Sequence, residues 1–247
     1  MRDQFHEDLD TISDQLVELT RLAGSAISRA TTALLDADVH LAESVIEADR
    51  KLDDIRVELD ELSIDLLARQ QPVATDLRIV VTAMHMSSDL ERMGDLARHV
   101  AKVARLRTPD SAVPPELRAH ILQMGQVAEA IVSKCGSIIA SKDVAAAIAL
   151  EKDDDQMDEL HRQLFAALLD EDTSWPRSAI LDLPVNADSR LQLSKYFIDP
   201  GASADDGSFP ADHCSGRHSS RIDELCREIS RAHIFSERCR DRCGNVV

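Results

Sequence analysis

Asp38-Val39-His40-Leu41-Ala42-Glu43-Ser44-Val45-Ile46-Glu47-Ala48-Asp49-Arg50-Lys51-Leu52-Asp53 aligns without gaps on Asp143-Val144-Ala145-Ala146-Ala147-Ile148-Ala149-Leu150-Glu151-Lys152-Asp153-Asp154-Asp155-Gln156-Met157-Asp158. The offset is 105 residues throughout, so the chain carries an internal duplication. A duplicated helical stretch implies two similar bundles packed side by side. Both copies hold an acid pair four residues apart, Asp49/Asp53 and Asp154/Asp158. The copies are therefore expected to share a chemical site as well as a fold.

The flanking sequence extends the helical reading. Apolar residues recur at three- and four-residue steps from Leu9 through Ile12, Leu16, Leu19, Ala23, Ile27 and Ala30 to Leu34. That is the stripe of an amphipathic helix over about 5–35. Asp38 can cap a second helix running to about Gln70, with Leu41, Val45, Ile46, Leu52, Ile55, Leu59, Leu62 and Leu66 inward. Pro72 stops it, and Thr75 or Asp76 starts a third helix that continues to about Arg107. Pro109, Pro114 and Pro115 then mark a boundary at about residue 110. Helices four (about 115–140) and five (about 143–170) copy helices one and two. The fold class expected is all-α, two tandem three-helix bundles over 1–110 and 111–247. An irregular insertion at about 171–218, rich in Pro and Gly, precedes a sixth helix from about Ser219 to the end.

Composition agrees. The 247 residues are 44% hydrophobic and 30% charged but only 3% aromatic, which suits long helices better than strands. A formal charge of −17 excludes a nucleic-acid backbone as partner and disfavours an anionic membrane surface. No run approaches the ~20 apolar residues that span a bilayer, so no integral membrane segment is expected. The acidic opening, Met1-Arg2-Asp3-Gln4-Phe5-His6-Glu7-Asp8, lacks a signal peptide's apolar core. A cytoplasmic location is expected. The 5 cysteines are an odd number, which favours free thiols over a disulfide frame.

The chemistry lies in carboxylates. Helix three carries Asp89-Leu90-Glu91-Arg92-Met93-Gly94-Asp95, which stacks Glu91 and Asp95 on one helical face. The closing helix repeats the spacing in Glu237-Arg238-Cys239-Arg240-Asp241. With Asp49/Asp53 and Asp154/Asp158, each half offers two acid pairs on adjacent helices. Like charges at this spacing cost a helix about 0.2–0.5 kcal/mol per pair. Either a divalent or trivalent cation bridges them, or Arg50, Arg92 and Arg238 neutralise them as ordinary ion pairs.

Other signals are weaker. Asp158-x-x-His161 has a carboxylate–histidine spacing used in di-iron bundles, but repeat one has Arg56 in the histidine's place, so a surface histidine is the simpler reading. Cys239-x-x-x-Cys243 with Cys226 matches no strong zinc signature. His85 and His99 read as packed or solvated side chains. No phosphate loop, nucleophile elbow or Ser/His/Asp order is visible, so no catalytic residue is assigned.

Pro72-Val73-Ala74-Thr75-Asp76-Leu77-Arg78 opening a helix that reaches Asp89 to Asp95 resembles the PhoU family. So does Asp154-Asp155-Gln156-Met157-Asp158-Glu159-Leu160-His161. The resemblance covers about 5–170. It implies a non-enzymatic cytoplasmic regulator that damps phosphate uptake and phosphate-starvation signalling. Such a regulator links the ATPase subunit of a phosphate ABC transporter to a sensor histidine kinase, peripheral to the inner membrane face, often as a homodimer. It also implies multinuclear metal clusters, with iron, zinc, manganese or magnesium as candidate ions. Carried over residue by residue, the ligands are Asp49, Asp53, Glu91 and Asp95 in the first half. Asp154, Asp158, Glu237 and Asp241 match in the second. The departure is the long segment after Asp170, where the family passes through a short connection. The rival reading from the residues is a carboxylate-bridged metalloenzyme of the helical-bundle type.

Overall fold

The structure, a computed structural model of the chain, describes residues 2–168. The expected insertion at 171–218, the sixth helix, Glu237, Asp241 and the four C-terminal cysteines lie outside the described residues. Within them the chain forms α1 (Arg2–Asp36), α2 (Val39–Gln70), α3 (Thr75–Arg107), a short 3₁₀ turn (Pro115–Leu117), α4 (Arg118–Ser141) and α5 (Val144–Leu168). No strand occurs among the described residues.

The duplication is visible in local detail. Asp38 accepts a hydrogen bond from the Leu41 amide (3.0 Å) and caps α2. Its counterpart Asp143 accepts from the amides of Ala145 (2.9 Å) and Ala146 (3.1 Å) and caps α5. The residue before each cap, Ala37 and Lys142, is left-handed with φ 51° and 56°. One turn geometry therefore serves both copies. The burial pattern also repeats, since Ala42, Val45, Leu52 and Leu59 are buried and so are Ala147, Leu150, Met157 and Leu164.

α1, α2 and α3 each pack against the other two, and α1 also packs against α4, which packs against α5. The buried stripe of α1 comprises Ile12, Leu16, Leu19, Ala23, Ala30 and Leu34, the spacing read from sequence. Small residues bring α1 and α4 close: a Cβ built on Gly125 would lie 2.6 Å from Thr31 Oγ1, and one on Gly136 would strike Thr20 Oγ1. Polar ties also cross between the helices. Glu18 joins α1 to α2 through Lys51 (2.8 Å), and Arg118 joins α4 to Asp36 (3.0 Å) at the end of α1. Lys134–Asp153 (2.5 Å) and His120 Nε2–Leu160 O (2.7 Å) tie α4 to α5.

Candidate functional site

Asp49 sits on the buried side of α2 because the stripe that buries Val45 and Leu52 also passes through it. Gly94 on α3 makes room for the neighbouring Leu52. A Cβ there would lie 2.6 Å from Leu52 Cδ1 and 3.5 Å from Asp49 Oδ1, so the two helices meet closely at this level. An antiparallel pair in that register brings Asp53 toward Glu91 and Asp49 toward Asp95.

The carboxylates divide by burial. Asp49 is 6% exposed, Glu91 and Asp95 are half-buried, and Asp53 is exposed. Arg98, one turn beyond Asp95, forms an ion pair with Asp95 and places Nε 2.9 Å from Asp49 Oδ2. That Nε–H makes no hydrogen bond among the described residues, so its link to Asp49 is charge attraction without good donor alignment. Arg92 approaches Asp95 only to 4.0 Å. Of the arginines that sequence suggested as counter-charges, Arg50 is exposed and Arg92 is marginal. Arg98 does the neutralising. An Asp95-x-x-Arg98 spacing was legible, but its reach across to Asp49 depends on the helix pairing.

Neutralisation is incomplete. Burial raises the Asp49 carboxyl above its ordinary value against the pull of Arg98, and Asp53 and Asp95 push it further up. Burial likewise raises Glu91, joined by repulsion from Asp95, Asp53 and Asp49, while Arg56 opposes the rise. Asp49 and Glu91 thus feel the neighbouring acids across the α2–α3 seam, where negative charge is in excess. Next to them, His99 is held below the usual imidazole range by burial and by the positive charges of Lys102 and Arg98. It stays neutral near pH 7.

In the second half, Asp154 is half-buried and its charge reaches Cys135 on α4, while Asp158 is exposed. Glu237 and Asp241 lie outside the described residues. Among the described residues, no three His, Cys, Asp or Glu side chains stand close enough together to hold an ion as placed. The donor chemistry of the first-half acids nevertheless suits a hard cation. All four are carboxylates, and burial with repulsion from neighbouring acids raises Asp49 and Glu91, so negative charge remains that Arg98 alone does not balance.

Comparison with known proteins follows the same residues. The PhoU domain profile matches residues 16–104, which contain Asp49, Asp53, Glu91 and Asp95. A protein of Mycobacterium bovis described as phosphate-specific transport system accessory protein PhoU homolog 2 is 42% identical over 183 residues, 74% of this chain and 86% of its own length. The corresponding homolog 1 of Mycobacterium leprae is 38% identical over 219 residues, 86% of this chain and 97% of its own. The crystal structure of PhoU from Pseudomonas aeruginosa superposes with a TM-score of 0.66 at 26% identity, covering 78% of this chain and 98% of that one.

Proposed function

This chain belongs to the PhoU family, regulatory accessory proteins rather than enzymes, and on that basis we propose that it restrains phosphate uptake and phosphate-starvation signalling. In this reading it links the ATPase subunit of a phosphate ABC transporter to a sensor histidine kinase from the cytoplasmic side of the membrane, as a homodimer. The observation that carries the proposal is the 42% identity to a phosphate-transport accessory protein across 74% of the chain, together with the PhoU domain match over 16–104, which takes in the acid seam. No helix among the described residues is long and apolar enough to cross a membrane, which is compatible with attachment through partners.

The finer architecture belongs to the same proposal. α1 to α3 form a first three-helix bundle within 1–110. α4 and α5 belong to a second half within 111–247, whose expected sixth helix lies outside the described residues. The cation site follows. Asp49, Asp53, Glu91 and Asp95 hold iron, zinc, manganese or magnesium in the first half, and Asp154 and Asp158 are the described acids of the second; Glu237 and Asp241 lie outside the described residues. A bound ion would supply the counter-charge that Arg98 provides only in part. Metal analysis of the purified chain, and thermal shift on adding Mn²⁺ to wild type and to Asp53→Asn/Glu91→Gln, tests it. An equal shift in both removes the first-half site.

The regulatory role is tested in a strain lacking the chain. Uptake and a starvation-responsive reporter are expected to stay high in abundant phosphate, and the ATPase subunit is expected to co-purify with the tagged protein. Normal repression together with no co-purification rejects the role.

A further inference from the structure

Apolar side chains lie exposed on the α2–α3 seam beyond the acids. Ile64 on α2 is 59% exposed, Val73 in the connection 75%, and Leu77 and Val81 on α3 are 41% and 39%. Helical phase puts them on one strip. Val57 and Ile64 follow Asp53 by four and eleven residues, so all three share one side of α2. Leu77 precedes Asp95 by eighteen residues, five full turns, and Val81 precedes it by fourteen. α2 packs along α3, with Gly94 set against Leu52 and Asp49, so both stripes run along the same helix pair. The strip therefore runs from carboxylates at one end to uncovered aliphatic surface at the other, over about 17 Å along α2 and about 27 Å along α3 at 1.5 Å per residue.

Exposed aliphatic surface gathered in one place marks an interaction site rather than scatter. Charge selects the occupant. Between residues 53 and 78 stand seven carboxylates and three arginines, and two of those arginines, Arg56 and Arg69, are tied to Asp60 and Asp65. A second copy meeting this strip with its own would set like acidic margins against each other, and an anionic bilayer would be repelled. We propose that this strip docks a basic amphipathic helix of a partner protein, its apolar side on Ile64, Leu77 and Val81 and its lysines or arginines over the acidic margin. The proposal rests on the regulator reading and gives the chemistry of one partner contact. Four to five turns of helix cover the strip, the groove-binding mode in which spaced apolar anchors carry affinity.

The test uses the full chain and a fluorescein-labelled eighteen-residue Leu/Lys amphipathic helix, followed by anisotropy. A Ser/Lys peptide of equal charge serves as control. Binding is expected to be at least tenfold weaker for Ile64→Gln/Leu77→Gln, unchanged for Val144→Gln on α5, and weaker in 0.5 M NaCl than in 0.05 M. These side chains are exposed, so folding is retained; circular dichroism checks it, and Leu77→Ser alone supplies a milder variant. Protection from hydrogen exchange is expected at 57–81 when the peptide is bound. Equal affinity of both peptides, or of wild type and the double variant, overturns the proposal. So does a wild-type dimer that the double variant turns into a monomer, because a second copy would then cover the strip. The deletion-strain phenotype is scored separately, so a failed docking surface leaves the regulator reading standing and a normal phenotype removes that reading alone.

Discussion

Glu91 pays for its position in proton affinity. Burial and the neighbouring carboxylates raise it above the ordinary 4.5. A carboxyl raised by folding favours the native state below its unfolded value, and that contribution fades as pH rises through the folded value. In metal-free protein Glu91→Gln is therefore expected to raise Tm at neutral pH, with the gain disappearing below about pH 4.5. Thermal melts across pH 4–8 check this, and a variant less stable than wild type at pH 7 contradicts it. Cys135 is governed chiefly by burial. Its thiol is pushed up to about 12, with Asp154 adding to the rise, so almost no thiolate exists at pH 8. Native protein is expected to leave Cys135 unlabelled by iodoacetamide under conditions that label it fully in urea, read by peptide mass mapping.

Element boundaries were the most legible feature, because they depend on short-range chemistry. Asp38 reads as a cap in sequence and caps α2, and the copy at Asp143 behaves alike. Pro72 and the prolines at 109–115 fall between helices as expected. The left-handed residues were not legible: Ala37 and Lys142 carry positive φ where glycine is the usual choice. Arg98 escaped notice because its partner Asp49 is 49 residues away in the chain, and only helix register joins them. Periodicity also does not reveal that Ile64 and Val81 face outward, since an apolar residue carries no label for which face is covered. Asp143→Ala is expected to cost about 1 kcal/mol, and Ala37→Gly to recover a few tenths, both measured by urea denaturation. A cap variant with unchanged midpoint would show that α5 is held by packing alone.

At the scale of the molecule, α1 is the shared member. It packs against α2 and α3 on one side and α4 on the other, with Gly125 and Gly136 setting the approach to α4. A side chain at Gly136 has no room beside Thr20, and overpacking of this kind typically costs about 1–3 kcal/mol. Gly136→Val is thus expected to lower Tm in one cooperative transition of the described helices, rather than melting α4 and α5 ahead of the rest. Two separate transitions by calorimetry would contradict the shared core.

The α1–α4 seam has a mechanical corollary. Two backbones held this close, with Thr31 against Gly125 and Thr20 against Gly136, slide poorly past each other. Force applied to the α4–α5 side is then transmitted through a single rigid rod to the helices on its far flank. A contact made on α5 can in this way be felt at α2 and α3, with α1 as its lever arm.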